Sequence, residues 1–247
     1  VESLRFSAGA ASLARALADR LEPGTVRLST AVRRVEVHAD GVGVSGSDSD
    51  GADVRVEARH AVVALPPALA AHELVFSPKL PPELHRLAVA TPVWMGETVK
   101  VVARYASAFW RGRGLSGAAI SHVGPLREVH DMSGPGGDPP VLFGFAQGVV
   151  TEDDVRRQLV RLFGPEAGEP AALRLVDWSR ERWTTPAGAR RAQRHDLYGH
   201  PLYRRPVEGR VHFVSTETAP AFAGHIEGAL LAADEVVQRI LASTADG

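Results

Sequence analysis

Apolar residues near the start of the chain recur at helical spacing. Leu13, Ala16, Leu17 and Leu21 follow the turn Ser7-Ala8-Gly9-Ala10, and Pro23-Gly24 ends the run. From residue 32 the period falls to two. Val32 to Val37, Val42 to Ser45 and Val54 to Glu57 are short β-rich runs, separated by Ala39-Asp40-Gly41 and by Ser47-Asp48-Ser49-Asp50-Gly51. This pattern predicts an antiparallel meander. Ala61-Val62-Val63-Ala64-Leu65 is unbroken and apolar, as in a strand buried on both faces, and Pro66-Pro67 stops it.

Beyond residue 70 the pattern predicts a helix over Glu83 to Val89 and a strand over Glu97 to Tyr105. Further strands are expected over Ala118 to His122, Arg127 to Asp131 and Val141 to Phe145, with a loop at Gly134-Pro135-Gly136-Gly137-Asp138-Pro139-Pro140. Thr151, with Asp154 three residues on, caps a helix through Val155, Leu159 and Phe163. The Arg-, Pro- and Gly-rich stretch from Trp178 to Pro206 has no clear period. The strand Val211 to Val214 then feeds a helix whose apolar stripe is Ile226, Ala229, Leu230, Ala233, Val236, Val237, Ile240 and Leu241.

Composition narrows the function classes. The 247 residues are 45% hydrophobic and 23% charged, with net charge −1, so no basic surface is available for nucleic acid or an acidic membrane. No apolar run is long enough to span a bilayer and no signal peptide opens the chain, so a cytoplasmic location is expected. There is no cysteine, which excludes disulfides, thiol nucleophiles, thiolate metal sites and any ligand attached through sulfur. Val1 rather than Met stands first, so the chain is expected to be processed or part of something longer.

Two phosphate-binding patterns fail on context. G-x-G-x-x-G occurs at Gly41, Gly43, Gly46 and at Gly112, Gly114, Gly117, but the motif works only between a strand and the start of a helix. The first copy lies in a hairpin, the second runs towards a strand. The ten histidines show no zinc-hydrolase spacing, His195 and His200 flank a Tyr-Gly turn, and no G-x-S-x-G turn is present.

Chemistry concentrates at the strand–turn–helix of Val211 to Leu241. Free N–H groups at a helix start favour an electron-rich group, and Gly224 and Gly228 would let a planar ligand approach the backbone. A plain packing helix accounts for the same residues. On Thr98-Val99-Lys100-Val101-Val102 the alternation puts Lys100 opposite the Val99/Val101 face, pointing into a cavity or lying on a sheet surface.

The wording of the segment adds to this. Phe213-Val214-Ser215-Thr216-Glu217-Thr218-Ala219, followed by Gly224-His225-Ile226-Glu227-Gly228-Ala229, resembles a signature of the flavin-containing monoamine oxidases. That family reads phenylalanine-alanine-glycine-threonine-glutamate-threonine-alanine, then glycine-tyrosine-x-glutamate-glycine-alanine. The resemblance continues in order through Arg5-Phe6-Ser7-Ala8-Gly9, Val63-Ala64-Leu65-Pro66-Pro67, Phe76-Ser77-Pro78-Lys79-Leu80-Pro81, and Lys100 with Tyr105, Phe109, Trp110 and Gly117.

It implies an FAD-dependent oxidoreductase that passes hydride from a carbon next to nitrogen to the flavin, with oxygen as final acceptor. By the same resemblance, Ile226 and Gly224 stand at the flavin ring. Ser215, Thr216 and Glu217 lie along the ribityl and phosphate chain, and Val32 touches adenine. Lys100 holds a water against the flavin. The implied fold is α/β plus α+β. An incomplete Rossmann-like FAD-binding domain with a β-meander would span residues 1–70 and 206–247, and a mixed-sheet substrate domain with flanking helices residues 71–205.

Departures from the family pattern set further expectations. The upstream strand, G-x-G-x-x-G turn and acidic residue of the family are not in this sequence, so the chain alone is expected to bind FAD weakly or not at all. Where relatives place two aromatic residues before the flavin, this chain has His225 and, at the other place, Ala187-Gly188, with Trp183 nearby as a substitute. Ala187 stands where some relatives carry a flavin-linking cysteine, so the flavin is expected to be non-covalent. Expected partners are an amine or amino acid and an N-terminal FAD-binding segment or chain, or else self-association. A relative with a different substrate and a non-catalytic interaction module are the competing readings.

Overall fold

The computed structural model describes residues 5–186 and 195–245. After α1 (Ala11–Ala18) come the meander strands β1 (Ala31–Val37), β2 (Val42–Ser47) and β3 (Asp53–Ala58), then the short strand β4 (Ala61–Val63). α2 (Pro67–Glu73), β5 (Val75–Ser77) and α3 (Pro82–Ala90) lead to β6 (Thr98–Arg104) and the one-turn α4 (Phe109–Gly112). β7 (Ala119–Ile120), β8 (Leu126–Asp131) and β9 (Val141–Gln147) precede α5 (Glu152–Phe163) and β10 (Ala172–Asp177). The chain closes with β11 (Val211–Phe213) and α6 (Ile226–Ala245). The fold is α/β plus α+β, as expected.

Three sheets result. The meander and β5 form a four-stranded mixed sheet in the order β3-β2-β1-β5, in which β5 runs parallel to β1. β10-β6-β9-β8-β7 make a five-stranded antiparallel sheet. β11 and β4 pair in parallel as a sheet of two. Two main cores follow from this layering. One buries Val99, Val101, Leu126, Leu142, Val155 and Leu159 between the five-stranded sheet and α5. The other joins Val35, Val42 and Val63 to Leu84, Tyr203 and Phe213.

Local signals act as read. The Thr151 hydroxyl accepts from the Asp154 N–H while the Asp154 carboxylate accepts from the Thr151 N–H, a closed capping box at the start of α5. Within α5, buried Gln158 accepts from the Leu126 N–H and donates to the carbonyls of Val123 and Leu126, which fixes the entry to β8.

β4 departs from the expectation of burial on both faces. It is three residues long, and Val62 is 48% exposed. Among the described residues its only ladder partner is β11, and a parallel pair of two strands cannot cover itself. The bareness extends further. No residue of α1 is buried, Leu28 is 82% exposed, and Ile226, Leu230 and Leu241 on α6 are at least half exposed.

β11 also carries a buried histidine. His212 Nε2 lies 3.3 Å from His60 Nδ1, and among the described residues His212 Nδ1 has no partner. Burial first, then the charges of His60 and Arg239, push its pKa down to about 4. The unfolded chain takes up this proton near pH 6.5, the folded chain only near pH 4. His212 therefore leaves stability intact above pH 6.5 and lowers it as the pH falls from there towards 4. Urea unfolding of wild type and His212→Leu over pH 7.5–4 should show the steeper loss in wild type. Parallel curves would overturn this assignment.

Candidate active site

The turn from Ser215 to Ile226 is held by its own polar groups. The Ser215 hydroxyl accepts from the Glu217 N–H at 3.2 Å, and the Ser215 N–H donates to Thr218 Oγ1 at 3.0 Å. Thr216 Oγ1 donates to the His225 carbonyl at 2.9 Å and so ties the two ends of the turn together. Phe222 takes a left-handed φ of 54° and Gly224 one of 84°. Glu217 faces inward: its buried carboxylate accepts the Trp94 N–H at 3.2 Å, and its carbonyl accepts the Gly199 N–H at 2.9 Å. Among the described residues the Ile226 N–H, at the electropositive start of α6, has no partner.

The two glycines of this turn serve the protein itself. A Cβ on Gly224 would lie 2.3 Å from the Trp94 indole, and one on Gly228 would lie 2.4 Å from the Phe222 carbonyl oxygen. The close approach that the sequence suggests for a ligand is made here by a side chain and by the turn. Trp94 also meets His225 and Tyr198, each with ring centroids 6.1 Å apart. Burial, reinforced by the Glu217 charge, pushes the Tyr198 phenol up to about 12, so it stays neutral.

Lys100 stands on β6 opposite the buried Val99/Val101 face, between Val176 of β10 and Phe145 of β9. Its Nζ lies 4.7 Å from the ring centre of Trp178, over the ring face. Among the described residues the buried Trp178 indole N–H has no hydrogen-bond partner. Thr185 fixes this platform to the segment entering β6, its hydroxyl reaching the carbonyls of Gly96 at 3.2 Å and Trp178 at 3.1 Å.

Val32 and Trp183 line a separate, mostly apolar cleft of about 660 Å³ together with Thr30, Val44, Leu65 and Leu69. None of Lys100, Ser215, Thr216, Glu217, Gly224, His225 and Ile226 lines it. A register shift in β1 between Val32 and Arg34 marks Arg33. Arg33 reaches Glu73 at 2.7 Å and covers the Trp183 ring at 5.4 Å. The sequence-predicted residues thus fall into three places: the α6 turn, the Lys100–Trp178 pair and this cleft. Trp183 and His225 do not share a wall, since His225 packs on Trp94. Ala187 and Gly188 lie outside the described residues. Among the described residues no cluster of metal-ligating side chains is present.

Comparison with known proteins shows the family. Residues 1–241 match the family of flavin containing amine oxidoreductases. The chain belongs to that family. A protein named as a flavin-containing monoamine oxidase, AofH, in Mycobacterium tuberculosis is 34% identical over 250 residues, covering 96% of this chain and 52% of the relative. An L-amino acid dehydrogenase of Synechocystis is 29% identical, over 84% of this chain and 45% of its own length. Among solved structures, a putrescine oxidase bound to putrescine superposes with a TM-score of 0.83 at 29% identity, over 95% of this chain and 53% of that one. This flavin containing amine oxidoreductase chain therefore spans about half the length of the relatives it matches.

Sequence reasoning missed Trp94 and Trp178. Trp94 lies outside every periodic segment. Trp178 opens the stretch with no clear period, and its position over Lys100 follows from a cross-strand neighbour 78 residues away in the chain.

The packing makes a direct prediction. Gly224→Ala adds a methyl against the Trp94 indole at a positive φ, and backbone strain of this kind costs about 1–3 kcal/mol before the clash is counted. Urea unfolding should show a loss of at least about 1 kcal/mol. A variant as stable as wild type would contradict the packing described.

Proposed function

We propose that this chain carries the flavin-ring and substrate-facing part of an FAD-dependent amine oxidase-type oxidoreductase. The observation that carries the reading is the unpartnered Ile226 N–H at the start of α6, in a chain of this family. A backbone donor at a positive helix end suits a planar heterocycle that gains negative charge when reduced. When bound, FAD supplies the redox chemistry, taking hydride from the carbon beside the substrate nitrogen and giving electrons to oxygen.

The residues present suit one end of FAD better than the other. Ile226 would donate to the ring, with Ser215 and Thr216 shaping its edge, while Gly224 and Glu217 would act through Trp94, which one seats and the other fixes by its buried carboxylate. Lys100, set over Trp178, would hold a water at the ring. Val32 would meet adenine from the apolar cleft that also holds Trp183. The phosphates find no matching cradle among the described residues. One G-x-G-x-x-G stretch is the β2 hairpin and the other links α4 to β7. We therefore assign the phosphate-binding half to sequence beyond these residues. The half-exposed faces of α1, α6 and β4 are where that half would dock, or where two copies would associate. Binding is non-covalent at Ala187, which offers no sulfur.

The first substrate class is an amine. A second reading, an amino acid, is favoured by Arg174, which shares the Lys100 face of the sheet two residues along β10 from Val176 and could meet a carboxylate.

Two measurements test the proposal. Lys100→Met in the FAD-loaded protein should slow flavin reduction or reoxidation at least about tenfold with FAD still bound; unchanged kinetics would remove Lys100 from the site. The 247-residue chain by itself should co-purify with little flavin absorbance. A full equivalent of FAD on it would overturn the division of the cofactor between two halves.

A further inference from the structure

At the start of α6, every polar group of His225 but one is engaged. Its N–H donates to the Phe222 carbonyl at 3.1 Å, and its own carbonyl accepts from Thr216 Oγ1 at 2.9 Å and from the Ala229 N–H at 3.3 Å. Imidazole Nδ1 lies 3.1 Å from the Ala223 carbonyl oxygen. A carbonyl can only accept, so Nδ1 carries the hydrogen and Nε2 of the neutral ring presents its lone pair. Among the described residues Nε2 has no partner, and the side chain is exposed.

Packing fixes the ring's direction. The Trp94 indole backs it at 6.1 Å with the planes inclined by 39°. Trp94 is itself seated on the bare Cα of Gly224 and held through its N–H by Glu217. The titratable groups nearby are few. The Glu217 carboxylate lies beyond the indole, neutral Tyr198 meets the indole edge, and Glu227 follows in the first turn of α6.

An amine reaches this site from neutral water as an ammonium ion. Its nitrogen lone pair, which must push hydride off the neighbouring carbon, is then tied up by a proton. The site needs a proton acceptor, and imidazole is the side chain suited to that task near neutrality. We propose that His225 is the acceptor: Nε2 takes one proton from R–CH2–NH3+, leaving neutral R–CH2–NH2 and an imidazolium that later returns the proton to water. No electrons move in this step, and the positive charge passes from substrate to His225. Trp94 is a positioning residue. It keeps Nδ1 on the Ala223 carbonyl, and the indole 6.1 Å away favours the imidazolium. The inference rests on the amine oxidase reading of the site and holds for amine and amino acid alike, since both carry the ammonium group.

The test has two arms. NMR of the chain with isotopically labelled histidine, the His225 signal being assigned from the spectrum of His225→Gln, should show the Nδ1–H tautomer. Trp94→Leu should lose that preference and Trp94→Phe should keep it. An Nε2–H tautomer in wild type would overturn the proposal. In the FAD-loaded protein, anaerobic flavin reduction by the best substrate of an amine and amino acid panel should fall with a single ionisation on the acid side. His225→Gln should abolish that ionisation and slow reduction about 100-fold at neutral pH, and added imidazole should partly restore His225→Ala. An acid limb unchanged in His225→Gln, with FAD bound, would overturn the role of His225 and leave the amine oxidase reading standing. A wild-type protein whose bound flavin no amine or amino acid reduces would overturn both.

Discussion

The contact between the Trp94 indole and the bare Cα of Gly224 is the joint on which the site depends. It presses the segment that enters β6, and so the approach to Lys100, against the turn that starts α6. With any side chain at position 224 the ring and the backbone could not occupy the same space, since even a Cβ would come within 2.3 Å of the indole. Glu217 reinforces the joint by receiving the Trp94 N–H from within the same turn. Thr185 adds a second tie on the other side, from Gly96 to the Trp178 carbonyl. Lys100, His225 and the Ile226 N–H all lie next to these ties.

Burial divides the molecule into a well-covered side and a more open one. The five-stranded sheet closes one core against α5, with Val155, Leu142 and Val101 almost fully covered. At the other side a parallel pair of strands stands with a bare Val62, α1 buries nothing, and α6 leaves part of its apolar stripe in water. Apolar area left exposed in this way forgoes the burial that stabilises a fold. The chain spans about half the length of the relatives it matches.

Local features were legible in the sequence, and long-range ones were not. The meander, the Thr151 capping box and the start of α6 follow from periodicity, turn residues and a cap, all settled within a few residues of one another. β5 exists because Val75 to Ser77 pairs in parallel with β1, some forty residues earlier, and three residues show no period of their own. β10 alternates only briefly, Leu173 and Leu175 facing the core and Arg174 and Val176 outward, and its place at the sheet edge rests on pairing with β6, some seventy residues earlier. At the site, the sequence singled out Gly224, His225 and Lys100. It could not supply the reason for Gly224, which is an indole 130 residues away, nor the inward turn of Glu217, which depends on the same partner.

Amide hydrogen exchange at Ile226, with and without bound FAD, tests the central claim most directly. If the flavin ring rests at the start of α6, the Ile226 N–H, unpartnered here, exchanges markedly more slowly once FAD is bound. Exchange at an unchanged rate, in protein whose absorbance shows the flavin bound, would place the ring elsewhere and contradict the account.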